Sequence, residues 1–386
     1  MKINNQFIKS YKNIPRDEKS ACAECADRPF RERVKDSLRL FEENSEKLCA
    51  YIDGKCHDEM LSLCTRILSP AFDSALELGF NGNKYELILS PNGSVASVFV
   101  LDYYRKHMTD KLKEKWNIIV GRQPNPNIAL KMGDVTVNAD EFDIWVEKGE
   151  NSVNLDLYCE KLVPVLKGDE SMAYEIMYIL LDNTVGELAG MRYIGEAVLL
   201  PEKKKEDSIR MSQLPAYISK VFDVPQGGVC SPEIFYDSYS GYRPVTVEDE
   251  NRFFDRSDVF IGVTCCYPLI YEYLNGETAI DGRLMSNGIC AGYFVYSNER
   301  FDNEAERGAA MLDFREDLQN RIYERAGEDC VFFTGGATGV FGSYIDFIAW
   351  DIGALLEAAA DVMKECSLEG AFFHGMRKDS ELLKLI

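Results

Sequence analysis

Histidine is scarce in this sequence. The 386 residues include three histidines, His57, His107 and His374, which lie in unrelated segments. None belongs to an H-x-H or H-E-x-x-H pattern, and the sequence has no G-x-S-x-G motif, no G-x-x-x-x-G-K-S/T phosphate loop and no G-x-G-x-x-G. The usual signatures of zinc peptidases, serine hydrolases and P-loop nucleotide hydrolases are therefore missing.

Long apolar runs are missing as well. The first twenty residues are polar and lack the 7–15 consecutive apolar residues of a secretory signal. No run approaches the roughly 18 apolar residues that a membrane-spanning helix needs. We therefore expect a cytoplasmic protein with no membrane partner.

Positive charge is in deficit. The chain has 43 Lys and Arg against 64 Asp and Glu, a formal net charge of −21. Such a charge repels phosphate backbones and anionic lipid headgroups at long range. The balance predicts no nucleic-acid partner and favours a basic protein partner.

Cysteine is too sparse for a disulfide scaffold, with 12 residues in a chain of this length. Most cysteines lie in apolar runs, which predicts buried thiols. Cys22 and Cys25 form a C-x-x-C pair, but Cys49, Cys56 and Cys64 are too irregular to complete a zinc tetrahedron. Structural zinc, dithiol chemistry and plain thiols stay open for this pair, and we predict no metal and no cofactor.

Hydrophobic residues make up 46% of the sequence, enough for more than one core. Apolar periodicity predicts an N-terminal helical hairpin in residues 1–79 that packs on the first domain, and an α+β domain in residues 80–222. Residues 223–258 have the composition of a linker or long loop. The aromatic residues of this segment are Phe235, Tyr236, Tyr239 and Tyr242. They either pack on a domain, which is the interpretation we favour, or form a contact surface.

Residues 259–386 show the clearest pattern. From Ile289 onward, strand and helix patterns alternate in the order strand, helix, strand, strand, helix, strand, which is the order of the ferredoxin-like split βαβ. The first domain follows the same scheme with an added strand. The predicted fold class is α+β, with two ferredoxin-like domains of mixed or antiparallel sheet and the helical hairpin.

Several short motifs in residues 80–220 resemble those of uncharacterised bacterial proteins built around a domain of unknown function. They are Tyr85-Glu-Leu-Ile-Leu-Ser, Trp116-Asn-Ile-Ile-Val-Gly-Arg-Gln-Pro, Leu180-Leu-Asp-Asn-Thr-Val-Gly-Glu, Ile194-Gly-Glu and Leu214-Pro-Ala-Tyr. The resemblance implies a fold and a cytosolic bacterial setting, and it implies no activity and no catalytic residues. The C-terminal part is similar to ferredoxin-like domains in element order alone.

The first candidate binding feature is the glycine-rich stretch Gly335-Gly-Ala-Thr-Gly339 between two strands. Successive backbone N–H groups in such a turn can bind an anion. A phosphate loop normally opens a helix, however, so hairpin geometry is the favoured interpretation. Gly335, Gly336 and Thr338 are kept as candidate ligand-binding residues.

The second candidate is Asp346, an acidic residue on an otherwise apolar strand. Alternation places Asp346, Tyr344 and Ile348 on one face, and we expect that face to be exposed. If both faces were covered, Asp346 would be the best candidate for a functional group with a shifted pKa. Tyr344 and Asp346 complete the candidate ligand-binding set.

A third constellation joins Asp182 and Glu187, which flank a predicted helix end, to Arg122 at the end of a predicted strand. Two carboxylates near an arginine suit acid–base catalysis. They equally suit an ion pair that holds a helix to a sheet, which we favour because such pairs are common.

Together these features favour a non-enzymatic, acidic binding protein with a basic protein partner. Immunity proteins that neutralise basic toxins work by this physical principle, which we use as an analogy. The alternative is a small-ligand-binding protein or enzyme that uses the C-terminal sheet face near Tyr344, Asp346 and the Gly335–Gly339 turn. The sequence leaves open whether the protein is an enzyme.

Overall fold

The structure is a computed structural model, and it describes residues 28–224, 231–236, 238–247, 254–301 and 306–386. These residues form two compact units. The large-sheet unit contains the described residues up to Asp73, His107–Leu112 and the residues from Tyr236 onward. The middle unit contains Ser74–Lys106 and Lys113–Phe235. The expected α+β class is confirmed, with several mixed or antiparallel sheets.

The N-terminal helical pair is also confirmed. Helix α1 (Phe30–Asp53) ends at Gly54, and α2 (His57–Leu68) follows. The buried face of α1 has the three- and four-residue spacing of an amphipathic helix: Phe30, Val34, Leu38 and Phe41. The ring of Phe30 lies 5.7 Å from that of Trp350, so the pair packs within the large-sheet unit. This differs from the expected packing on the first domain.

The middle unit has three separate sheets in place of the single split βαβ sheet that we expected. A three-stranded sheet has the order β1-β2-β3, with β2 and β3 parallel and joined through the helices α3 (Val95–Lys106) and α4 (Asp110–Lys115). A four-stranded sheet has the order β8-β7-β6-β9, and β4 pairs with β5. The strands are β1 (Ala75–Phe80), β2 (Tyr85–Ser90), β3 (Trp116–Val120), β4 (Ala129–Met132), β5 (Val135–Asn138), β6 (Asp143–Lys148), β7 (Val153–Tyr158), β8 (Ile194–Leu199) and β9 (Ile209–Arg210).

Helices cover the sheets of the middle unit and form its main core with them. This core includes Phe142, Leu155, Met177 and Leu180, all buried. The helices assigned to the middle unit are α3 (Val95–Lys106), α5 (Val163–Gly168), α6 (Glu170–Val185), α7 (Glu187–Tyr193) and α8 (Leu214–Phe222), while α4 (Asp110–Lys115) is divided between the two units.

The large-sheet unit is built on a seven-stranded antiparallel sheet of order β10-β11-β13-β14-β12-β15-β16. Its strands are β10 (Ser240–Tyr242), β11 (Val259–Thr264), β12 (Cys290–Ser297), β13 (Val331–Gly339), β14 (Gly342–Ala349), β15 (Ala371–Gly375) and β16 (Leu383–Lys384). Its further helices are α9 (Tyr267–Asn275), α10 (Ala279–Ser286), α11 (Arg307–Ala326) and α12 (Ile352–Glu365).

Both faces of the central strands are covered. On the first face, side chains such as Phe294, Ile345 and Phe347 pack against α11 and α12 in one hydrophobic core. On the second face, α9 contributes Tyr273, whose ring meets that of Tyr293 edge-on at 5.7 Å. All eight residues of β14 are buried as a result. This double covering fixes the environment of the candidate site residues.

Candidate functional site

The candidate residues lie on opposite faces of the sheet. Asp346 on β14 pairs with Gly335 on β13, and Tyr344 pairs with Ala337. Gly336 and Thr338 pair instead with Ile345 and Ser343, whose side chains face the α11 side. The second face therefore brings together Gly335, Tyr344 and Asp346 and excludes Gly336 and Thr338.

The glycine-rich turn is not found, because Gly335–Gly339 belong to β13. Gly335 has φ +148°, and a Cβ atom there would lie 2.1 Å from the backbone oxygen of Val263. The register shifts between Phe333 and Gly335, which marks a β-bulge. Glycine is needed for close strand approach at a bulge, so Gly335–Gly339 form a bulged strand and not a turn. The expected hairpin is present just beyond this stretch, because β13 and β14 are consecutive antiparallel strands joined by Val340 and Phe341.

The expected exposure of Asp346 is also wrong, since its exposed fraction is 0%. Strand alternation predicted the correct partners on its face but not that α9 and neighbouring residues cover this face. A buried carboxylate requires a compensating partner. Arg256, equally buried, supplies it through an ion pair with Asp346.

Arg256 is the central residue of this buried cluster, and no local sequence pattern identified it. Its Nη2 atom lies 3.3 Å from Asp346 Oδ2 and donates to the Tyr242 hydroxyl, while Nη1 donates to Asp346 Oδ1. The guanidinium carbon lies 4.9 and 5.0 Å from the ring centres of Tyr293 and Tyr344. Two aromatic faces and a carboxylate thus enclose the charge.

The electrostatics of this enclosure favour a charged arginine. Burial lowers the pKa of Arg256, but Asp346 and Tyr242 raise it more strongly, so the net pKa lies well above the ordinary value. Burial raises the pKa of Tyr242 to about 12 and that of Tyr293 well above its usual value. The tyrosines therefore stay protonated around a permanent ion pair.

Asp258 forms a second buried centre beside the first. Its carboxylate accepts hydrogen bonds from the backbone N–H groups of Phe341 at 2.8 Å and Gly342 at 2.9 Å, and from the Tyr344 hydroxyl. A Cβ atom at residue 339 would lie 2.1 Å from Asp258 Oδ2, so Gly339 provides the space for this carboxylate. Asp258 therefore holds the β13–β14 connection to the start of β11.

The remaining tyrosines hold the backbone before β11. Tyr293 donates to the Phe254 carbonyl at 2.8 Å, and the Tyr273 hydroxyl lies 3.0 Å from the Asp255 carbonyl oxygen. The two hydroxyls are 2.8 Å apart. His374 stacks on Tyr293 with ring centres 5.2 Å apart, and burial lowers the pKa of its imidazole.

The cluster of Arg256, Asp258, Asp346 and the tyrosines is thus a dense internal network. It anchors residues 254–258 to the sheet and to α9 through two backbone carbonyls, one arginine and one aspartate. Arg256 has φ +63°, a conformation that L-residues adopt at a cost and that the surrounding contacts maintain. The arrangement is suited to holding a loop in position.

The constellation of Asp182, Glu187 and Arg122 lies in the middle unit where β2 and β3 end. Glu187, which is 2% exposed, accepts from Ser90 Oγ at 2.6 Å, from the Asn92 N–H at 3.0 Å and from the Arg122 N–H at 3.2 Å. Its carboxylate therefore joins the ends of the parallel strands to the start of α7. The Arg122 guanidinium lies 3.7 Å from the same carboxylate through Nη1. These contacts hold a helix to a sheet and support the favoured structural interpretation.

Asp182 is the less well compensated acid of this group. Burial, followed by repulsion from Glu187, raises its pKa to about 6, and Arg122 opposes this shift. Arg122 itself bonds to Glu77 through Nε at 2.6 Å. The pKa of Asp182 is thus within the range of a general acid or base.

Some aromatic residues of the predicted linker pack on the folded chain, and others are exposed as a contact surface would require. Phe235 and Tyr242 are buried, and the ring of Tyr236 packs 5.3 Å from that of Phe332. Tyr239, in contrast, is 58% exposed. The predicted loop also contains β10, a strand that we did not expect.

Nine cysteines lie in the described part of the chain, and all are free thiols. Cys22 and Cys25, the C-x-x-C pair, lie outside the described residues. Within those residues, no group of three or more His, Cys, Asp or Glu side chains is arranged to hold a metal ion. No helix in the same ranges has the length and apolar character needed to cross a bilayer.

Comparison of the chain with protein-family models, curated proteins and solved structures found no match. The resemblance to uncharacterised bacterial proteins stays a prediction.

Proposed function

We propose that the protein is a non-enzymatic, acidic binding protein whose partner is a basic protein. The observation that carries this proposal is the net charge of −21. Eight acidic residues are buried in the described ranges: Asp102, Asp143, Glu187, Asp258, Glu272, Asp281, Asp346 and Asp351. Because the sequence has 64 acidic residues, most of its acidic side chains can lie on the surface. A surface of this kind accelerates association with a basic partner and disfavours acidic competitors.

The internal contacts of the candidate carboxylates also support a binding role. The Asp346 carboxylate forms an ion pair with Arg256, and the Asp258 carboxylate accepts hydrogen bonds from one hydroxyl and two backbone N–H groups. These groups stabilise the scaffold, which leaves recognition to exposed side chains. The alternative, a ligand site on the C-terminal sheet face, would require displacing α9 and the Arg256 contacts from Asp346.

A finer fold assignment belongs to the same proposal. Strands β12, β13, β14 and β15 are connected as strand, helix, strand, strand, helix, strand and lie in the order β13-β14-β12-β15, each antiparallel to its neighbour. This order and these directions are those expected of a split βαβ, which supports our proposal that this part of the large-sheet unit is ferredoxin-like. We further propose a cytoplasmic location and kinship with the uncharacterised bacterial proteins that the motifs of residues 80–220 resemble.

The proposal is tested by capture on the immobilised full-length chain from a lysate of the source cells, followed by purification of each captured protein. We expect at least one protein of high isoelectric point to form a complex of fixed stoichiometry with the chain in size-exclusion chromatography. A chain in which six exposed acids are changed to amides is the control and should retain less of that protein. Capture of acidic proteins alone, or equal capture by the control, would contradict the proposal.

A further inference from the structure

Two arginines lie without a carboxylate partner at one margin of the seven-stranded sheet. Arg243, directly after β10, is exposed, and Arg315 on α11 is half-buried. Within the described ranges, neither forms an ion pair with an acidic side chain. Acids outnumber bases in this chain, and other arginines pair with carboxylates, such as Arg31, Arg122 and Arg377. Two unpaired cations on one surface indicate a place for an anion.

Arg243 lies opposite Ile261 across the outer pair of strands. In the pairing of β10 with β11, Tyr242 lies opposite position 262. The same register continues beyond β10, because the Val247 N–H donates to the Ser257 carbonyl at 2.7 Å. The residue after Tyr242 is therefore beside the residue before position 262.

Arg243 and Ile261 face the α11 side of the sheet, which is its first face. The Tyr242 hydroxyl accepts a hydrogen bond from Arg256 on the second face. Because successive side chains of a strand alternate, Arg243 lies on the opposite face from Tyr242. By the same alternation, Ile261 and Val263 share the first face with Arg243.

Arg315 reaches this face from α11. A Cβ atom at Gly336 would lie 3.3 Å from Arg315 Cδ and 3.4 Å from Arg315 Cζ, so the guanidinium lies against β13 at a position without a side chain. Gly336 pairs with Val263, and Thr338 pairs with Ile261. Neighbouring strands are about 4.8 Å apart, so β10 and β13 are about 10 Å apart and one small anion can contact both arginines.

Exposed aliphatic side chains lie beside the two arginines. Ile261 is 38% exposed and Val263 is 41% exposed. Leu312, 51% exposed, precedes Arg315 by three residues on α11 and lies on the same side of that helix. The core described between the sheet, α11 and α12 contains none of these three side chains. Cations beside aliphatic groups match an anion that carries an apolar chain.

The charge of the chain favours a carboxylate over a phosphate as the head group of this anion. Guanidinium groups bind both, through paired N–H donors. A phosphate monoester carries about −1.5 to −2 charges at neutral pH, whereas a carboxylate carries one. The net charge of −21 therefore repels the phosphate more strongly.

We propose that this surface binds a small linear aliphatic carboxylate, with its head group between the two arginines and its chain on the aliphatic side chains. We name the surface the arginine shelf, and its members are Arg243, Ile261, Val263, Leu312, Arg315 and Thr338. The Thr338 hydroxyl lies on the same face and supplies a further donor for the head group. The arginine shelf is independent of the acidic surface that the proposed function uses.

The test is calorimetric titration of the full-length chain with octanoate, which has one carboxylate and a linear aliphatic chain. Acetate lacks the chain, octylammonium reverses the charge, and octyl phosphate changes the head group. Arg243→Gln and Arg315→Gln each remove one cation from the arginine shelf. Arg283→Gln is the matched control, because Arg283 is exposed on α10 and the charge change is the same.

We expect octanoate to bind more tightly than acetate and octyl phosphate, and we expect octylammonium not to displace it. Each shelf variant should weaken octanoate binding at least about tenfold, because a charge-assisted hydrogen bond is lost, against less than about twofold for Arg283→Gln. Hydrogen exchange of β11 peptides should slow in the octanoate complex, which tests the site without a substitution. Circular dichroism confirms that the variants fold.

No binding of octanoate at about 5 mM, or equal weakening by Arg283→Gln and the shelf variants, would overturn the arginine shelf as a binding site. Equal affinity for acetate would overturn the role of the aliphatic side chains, and tighter binding of octyl phosphate would overturn the carboxylate assignment. Each of these results leaves the acidic-binding proposal standing, since capture of a basic protein tests that proposal separately.

Discussion

The ion pair between Arg256 and Asp346 allows a quantitative prediction. Replacing Arg256 by Met leaves the Asp346 carboxylate buried without a cation, and it also removes the partner of the Tyr242 hydroxyl. Breaking a buried pair from one side costs about 3 to 5 kcal/mol. We expect Arg256→Met and Asp346→Leu each to lower the free energy of unfolding of the large-sheet unit by about that amount.

The double variant Arg256→Met/Asp346→Leu removes both charges together. Apolar residues of similar volume commonly replace a buried pair at little cost, so the double variant should lose less than about 2 kcal/mol. The coupling energy in the cycle is then about 3 kcal/mol or more. Tyr242→Phe, which removes one hydrogen bond to Arg256, should cost about 1 kcal/mol.

The assay is native-state hydrogen exchange with mass spectrometry in graded urea, read from peptides of β12 and β14. Peptides of β7 in the middle unit provide the internal control and should not change. If Arg256→Met costs less than about 1 kcal/mol, or if the double variant costs the sum of the single variants, the pair does not stabilise the unit as we argue.

Three further predictions concern other buried positions. Gly262→Ala should destabilise the large-sheet unit by about 1 to 3 kcal/mol in urea unfolding, because a Cβ atom there would lie 2.2 Å from Tyr242 Cζ; an unchanged midpoint would refute this contact. Glu187→Gln should destabilise the middle unit by about 2 kcal/mol, because an amide keeps one acceptor oxygen and one of the three donors to Glu187 then loses its acceptor. The measurement is hydrogen exchange of β2 peptides, and no change in their exchange would show that the carboxylate is dispensable. Burial raises the pKa of Asp281 to about 7, above its unfolded value of about 3.9, so this group's contribution to stability is present below pH 4 and is lost as the pH rises to 7. Asp281→Asn should therefore be more stable than the parent by about 2 to 4 kcal/mol at pH 7.5 and about equal to it near pH 4, and a difference independent of pH would contradict the assignment.

Local pattern predicted much of the fold. The periodicity of residues 30–68 predicted the helical pair. The alternation of Val153–Leu157 and the apolar run Ile289–Tyr296 predicted two strands, which the structure has at Val153–Tyr158 and Cys290–Ser297. Each of these segments has the spacing that one buried face or two buried faces require. Strand β10 was missed because three residues, Ser-Gly-Tyr, carry no alternation that a pattern can detect.

The glycine stretch shows where local pattern fails. Glycine in a turn and glycine in a bulged strand have the same composition, and only the neighbouring strand distinguishes them. Gly335 approaches the Val263 oxygen, a contact between residues 72 positions apart in the sequence that turn chemistry cannot reveal. The strand beside Gly335 is β11, and its position depends on the order of strands in the sheet, which long-range pairing determines.

The buried cluster could be predicted in part. Asp346 attracted attention as an acid in an apolar strand, and the condition for its importance, two covered faces, is met. Arg256 lies in a polar segment with the composition of a loop, and nothing local identifies it as the partner. A buried carboxylate requires a cation or several donors, and which residue supplies them is decided by the folded chain.

The central claim is that the acidic surface binds a basic protein, and the most direct test is calorimetric titration of the captured basic partner into the full chain at 50 and 300 mM salt. Exposed charges are screened over about 8 Å at physiological ionic strength, so the account predicts that the dissociation constant rises at least about tenfold at the higher salt. A dissociation constant that stays the same at both salt concentrations would contradict it.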